Sequence, residues 1–82
     1  ARSDQYVLSI DLGTSGCKVG LVSITGEVVA WAFRPVPLLV VDTIGAEQDP
    51  FQWWTAFIEA SREVLGQTTV QRAHIVAVCL SN

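Results

Sequence analysis

Eighty-two residues hold one small domain with a modest core, and a chain that is 50% hydrophobic and 16% charged is too apolar for intrinsic disorder. A formal charge of −3, with five scattered Lys and Arg residues, excludes a basic nucleic-acid groove, so no nucleic-acid partner is expected. No apolar stretch reaches the length needed to cross a bilayer, and the polar start does not read as a secretory leader.

Two cysteines, Cys17 and Cys79, make neither a dense disulfide framework nor a metal-ligand spacing, so reduced thiols in a soluble, cytoplasmic protein with no membrane contact are expected. The chain has no methionine and stops just after an apolar run, so it is expected to be a truncated piece of something larger.

In chain order, Tyr6-Val7-Leu8-Ser9-Ile10 is apolar, a short polar and glycine-rich stretch follows, and Val19-Gly20-Leu21-Val22 is apolar again. This predicts strand, tight turn and strand, with Asp11 at the mouth of the turn. Gly13 and Gly16 let the backbone adopt positive φ and approach a ligand closely, so that successive N–H groups can converge on an anion. Thr14 and Ser15 add hydroxyls, and Lys18 adds a mobile positive charge.

Phosphate oxygens suit that set. The Asp11 carboxylate repels a phosphate unless a cation stands between them. A hard divalent ion such as Mg²⁺, held by one or two carboxylates, waters and substrate phosphates, removes the conflict. The implied ligand is a metal–nucleotide complex. The same residues also read as a plain hairpin turn in which Asp11 and Thr14 bond the local backbone. They do not form a P-loop, which needs more widely spaced glycines, a Gly-Lys-Ser/Thr ending and a following helix.

Ile24-Thr25-Gly26-Glu27 has turn composition, and Val28-Val29-Ala30-Trp31-Ala32-Phe33 is rich in β-branched and aromatic residues, as a third strand requires. Three strands with short connections predict an antiparallel meander, ended or confined to an edge by Pro35 and Pro37. Leu38-Leu39-Val40-Val41 reads equally as a short strand or as an extended segment packed on the sheet, and Asp42-Thr43-Ile44-Gly45 reads as loop.

Asp49 before Pro50 is a helix start, with Asp49 as cap and Gln52 as its capping-box partner. Trp53, Trp54, Phe57, Ile58, Val64 and Leu65 recur at helical spacing, and Gly66 is the expected stop, which predicts a helix over 50–65. Asp49 and the tryptophans read first as cap and core, with sugar binding as the alternative. After a polar connection containing His74, to which no role is assigned, Ile75-Val76-Ala77-Val78-Cys79-Leu80 is almost continuously apolar. It predicts a parallel strand buried on both faces.

Two stretches carry a family resemblance. Asp11-Leu12-Gly13-Thr14-Ser15-Gly16-Cys17-Lys18-Val19 resembles the first phosphate motif of the actin-like ATPase superfamily, and its Ser-Gly-x-Lys form is most similar to the FGGY carbohydrate kinases, especially their xylulokinase members. Glu47-Gln48-Asp49-Pro50 followed by Trp53-Trp54 resembles the run that these kinases carry before their first long helix. The resemblance implies an α/β, ribonuclease-H-like partial domain: an antiparallel three-stranded meander, a helix, then a parallel strand. Residues 1–82 would be the N-terminal part of the first actin-like domain.

The resemblance further implies an ATP-dependent kinase that passes the γ-phosphoryl group to a hydroxyl of a ketose or polyol, xylulose-like in the first instance. Asp11 would help position Mg²⁺, while Gly13, Thr14, Ser15, Gly16 and Lys18 would hold the β- and γ-phosphates of ATP. Cys17 stands at a variable family position. The general base, the second phosphate motif and the adenosine motif would lie downstream, so no catalytic residue is expected in this chain and the piece alone should be inactive. Its partners would be a small sugar or polyol, the remainder of the kinase chain and, at full length, a second copy in a homodimer.

Ser81-Asn82 would stand at the threshold of a loop that contacts sugar. The alternatives are a chaperone-like or cytoskeletal ATPase, which shares the Asp-x-Gly-Thr turn but passes phosphate to water, and a small noncatalytic module. Residues 47–54 argue against the first of these.

Overall fold

The computed structural model describes residues 5–13, 15–36, 39–40, 46–47 and 50–81. Three strands, β1 (Tyr6–Gly13), β2 (Gly16–Ser23) and β3 (Val28–Pro35), form the expected antiparallel meander. Side chains alternate across a strand, so one face receives Ile10, Cys17, Val19, Leu21, Ala30 and Ala32, all buried. The other face receives Ser9, Asp11, Lys18, Gly20 and Trp31.

The connection between β2 and β3 is held by its own polar atoms. The Ser23 amide donates to the Glu27 carbonyl at 2.8 Å, and the Glu27 amide donates to Ser23 Oγ at 3.0 Å. Gly26 has φ +96°, a conformation that L side chains rarely adopt, which is why glycine stands there.

Helix α1 (Pro50–Gly66) matches the predicted span to within a residue and places Pro50 in its first turn, where the missing N–H costs little. Asp49, the expected cap, lies outside the described residues, as does Gln48. The helix packs chiefly on β2 and β3. Its buried residues are Ala56, Ala60 and Val64, one turn apart; of the set that the spacing predicts, Val64 is buried, Trp53, Phe57, Ile58 and Leu65 are half-buried, and Trp54 is exposed.

The sheet explains this correction. Ala30 and Ala32 form the surface below α1, and small residues on both sides let backbone approach backbone. Trp53 and Phe57 pack only at the flank, and Trp54 is 63% exposed, its ring centroid 5.5 Å from that of Phe57. Arg34 fastens the end of β3 to the helix, with Nη2 at 2.6 Å from Glu63 Oε1 and Nε at 3.5 Å from Glu59 Oε1.

Gly66 does not take the left-handed conformation expected of a stop. Instead the Gln67 amide donates back to the Glu63 carbonyl at 3.0 Å and the Val64 carbonyl at 3.2 Å. A 3-10 turn over Arg72–His74 then leads into the last strand, with the His74 amide bonded to the Gln71 carbonyl at 2.9 Å.

Residues 39–40 and 46–47 form a two-stranded antiparallel ladder, β4 (Leu39–Val40) against β5 (Ala46–Glu47), and the expected loop at 42–45 lies outside the described residues. The last strand, β6 (Ile75–Ser81), returns parallel to β1 and completes a sheet of order β3-β2-β1-β6. The expectation that it is buried on both faces is corrected. Val76, Val78 and Leu80 are exposed, Leu80 by 68%. Strand β6 is the sheet edge and α1 lies chiefly over β2 and β3, with Trp53, Trp54 and Phe57 bordering an open cavity together with Val78 and Leu80.

Candidate functional site

Asp11 and Lys18 stand directly opposite each other in the β1–β2 ladder. Both are exposed, because the period of two that buries Ile10 and Val19 turns their neighbours outward. The sheet thus presents a carboxylate and an ammonium on one open face, two rungs from the hairpin end. The ladder continues past them to Gly13 opposite Gly16, leaving residues 14–15 as the loop. Thr14 lies outside the described residues, while Ser15 is exposed at the tip.

The positive φ that the sequence allows at the two glycines is not taken up. Among the described residues Gly26 is the one glycine with positive φ, so Gly13 and Gly16 belong to extended strand. Gly16 is required by proximity. A Cβ there would meet the Arg34 carbonyl oxygen, Phe33 Cζ at 2.7 Å and Pro35 Cα at 2.8 Å. Nothing lies within 4 Å of a Cβ at Gly13, which is open to an incoming ligand. The Val36 amide donates to the Ser15 carbonyl at 3.1 Å, so β3 holds the hairpin tip by backbone contact and by hydrogen bond together.

An open cavity of about 680 Å³ lies on this face, lined by Ser9, Asp11, Lys18, Gly20, Val22, Val28, Trp31 and Ser81. Ser81, which the sequence reading placed only at a loop threshold, pairs with Asp11 in the parallel β1–β6 ladder and donates from Oγ to Asp11 Oδ1 at 3.3 Å. No motif spacing pointed to it. The contact depends on which strand lies next to β1. His74 is at the other end of β6, where Ile75 pairs with Tyr6.

Cys17 is fully buried on the opposite face, and burial, with the Asp11 carboxylate second, pushes its thiol above the ordinary thiol range. It therefore stays a neutral packing group at physiological pH. Among the described residues no three His, Cys, Asp or Glu side chains gather into a cage for a metal. Asp11, a single hard oxygen donor beside open space, suits a cation that keeps its waters and shares phosphate ligands, as Mg²⁺ does.

The N-terminal-domain model of the FGGY family of carbohydrate kinases matches residues 6–82. The chain belongs to this family. Among FGGY relatives it is 41% identical over 64 residues to the xylulose kinase of Escherichia coli, covering 78% of this chain and 13% of that protein. It is 30% identical over 81 residues to the glycerol kinase of a Synechocystis species, covering 99% of this chain and 16% of that protein.

The fold agrees. The ligand-bound xylulose kinase of Lactobacillus acidophilus superposes with a TM-score of 0.82 at 26% identity, over 95% of this chain and 16% of that one. The gluconate kinase of the same organism gives the same score and identity over 95% and 15%. The mixed sheet and its crossover helix therefore have the actin-like ATPase fold of the FGGY sugar kinases, and the chain spans about a sixth or less of the length of these relatives.

Proposed function

We propose that this chain is the phosphate-binding, N-terminal part of the first actin-like domain of an ATP-dependent carbohydrate kinase. The whole enzyme would pass the γ-phosphoryl group of ATP to a hydroxyl of a ketose or polyol. The observation that carries the reading is the Asp11–Lys18 pair on the open sheet face, at the end of a hairpin whose tip is held by β3. Xylulose-like sugars come first and glycerol second, because relatives named for both align over most of the chain.

In this reading Lys18 attracts the β- and γ-phosphates, and its flexible stem lets the ammonium follow them. Gly13, Thr14, Ser15 and Gly16 form the wall against which those phosphates rest, with no side chain at Gly13 to keep them away. Asp11 holds the cation side of the nucleotide complex. Bound Mg²⁺ supplies neutralisation of phosphate charge. The hairpin thereby contributes position and electrostatics, the main sources of acceleration in phosphoryl transfer. The general base and the sugar contacts belong to the remainder of the kinase chain, and the site works in the cytoplasm, in a protein that pairs as a homodimer.

The test is ATP consumption by the complete polypeptide against D-xylulose, glycerol, gluconate and related acceptors. Sugar-dependent release of ADP with at least one acceptor is the expected result. ATP turnover that ignores every acceptor would instead assign the hairpin to a hydrolytic ATPase.

A further inference from the structure

We infer that Ser81 is a positioning residue for the Asp11 carboxylate, selecting the rotamer in which that group meets the cation of the nucleotide complex. The inference rests on the phosphate-site reading above. Asp11 lies on the central strand of the site, with Lys18 across the antiparallel ladder on one side and Ser81 across the parallel ladder on the other. All three line the same cavity. Lys18 brings a positive charge, whereas Ser81 brings a hydroxyl that donates to Oδ1 at 3.3 Å.

An exposed aspartate on an open sheet face turns freely about its side-chain bonds. A donor to one carboxylate oxygen restricts that freedom and orients the second oxygen with it, and a hydrogen bond to an ionised acceptor is stronger than a neutral one. The donor is also well placed to persist. Backbone pairing between β1 and β6 sets the register that brings Ser81 beside Asp11, although the two are 70 residues apart in the chain. The residue is thus tied to the site by the sheet itself. Substituting it alters the orientation of Asp11 and leaves the charge of the site unchanged.

Ser81→Thr and Ser81→Val in the complete kinase test this, because the two new side chains share a shape and differ in the hydroxyl. The probe is Mn²⁺–ATP, its dissociation constant read from water-proton relaxation, with metal-free ATP as the control and kcat and KM for Mg²⁺–ATP measured alongside. Ser81→Val should weaken Mn²⁺–ATP binding by about fivefold, with metal-free ATP unaffected, while Ser81→Thr stays within about twofold of the parent. Ser81→Ala, which adds no bulk, should follow Ser81→Val.

Equal behaviour of the Thr and Val variants, or an Ala variant that binds Mn²⁺–ATP like the parent, would overturn the assignment. Asp11→Asn separates the two levels. If it weakens Mn²⁺–ATP binding while Ser81→Val and Ser81→Ala do not, Ser81 loses its role and the phosphate site stands. If Asp11→Asn changes nothing, the phosphate-site reading falls and takes the role of Ser81 with it.

Discussion

The two faces of the β1–β3 meander are made from alternate residues of the same strands, yet they do different work. Beneath α1, Val19, Leu21, Ala30 and Ala32 are packed and apolar. On the reverse, Asp11, Lys18 and Trp31 border an open cavity, and Trp31 is 58% exposed. Neighbours one position apart, such as Lys18 and Val19, therefore answer to different physics. Burial and close packing hold the hairpin, and the exposed charges act on whatever approaches it. Stability and chemistry should separate by residue parity along each strand.

The sharpest break of that comparison is Asp11→Ala in the complete polypeptide, under the proposed kinase activity. It should lower kcat by about a hundred- to a thousandfold, the scale for losing one electrostatic group at a reacting centre, while the unfolding midpoint stays where it was. Its counterpart on the packed face is Leu21→Ala. Loss of a fully buried leucine should cost about 3 kcal/mol in denaturant unfolding, while affinity for Mg²⁺–ATP in the folded fraction is unchanged. A Leu21 variant with intact stability but failed nucleotide binding would show that the faces are coupled.

Gly16→Ala probes the place where the two properties meet. The added methyl group runs into the backbone of Arg34 and Pro35, so overpacking should cost about 1–3 kcal/mol, and displacement of the hairpin should raise KM for Mg²⁺–ATP at the same time. Gly13→Ala, with nothing within 4 Å, should leave stability nearly unchanged and act on nucleotide binding alone.

The smallest expected effect concerns Cys17. Its thiol ionises at higher pH in the folded chain than in the unfolded one, since burial and then Asp11 disfavour the thiolate. The folded state therefore keeps its advantage below the unfolded thiol value. That advantage is lost as pH rises from there through the folded value. Cys17→Ala should flatten this alkaline limb. In the native chain a thiol reagent should label exposed Cys79 and spare Cys17.

Local signals were legible wherever a local interaction decides the outcome. The three strands, the short turns and the helix from Pro50 follow from alternation, β-branched content and a proline at a helix start, and all of them stand in the fold. Asp11 and Lys18 were legible as charges at the hairpin, and the strand register then sets them opposite each other. The glycine at position 16 was legible as necessary but for the wrong reason. Its cause is the backbone of β3, which lies some twenty residues along the chain. The helix interface differs from expectation for a similar reason: the face that carries Ala56, Ala60 and Val64 is the one turned to the sheet, and Trp54 lies off it.

The sequence by itself determined the meander, the helix and the family, because each rests on residues close together in the chain or on motif order. Tertiary structure alone decided that β6 lies beside β1 at an exposed edge, that Ser81 meets Asp11, and that alanines rather than tryptophans line the helix–sheet contact. Those outcomes depend on which surfaces face each other. Helical or strand periodicity names the candidates for burial, and the neighbouring element selects among them.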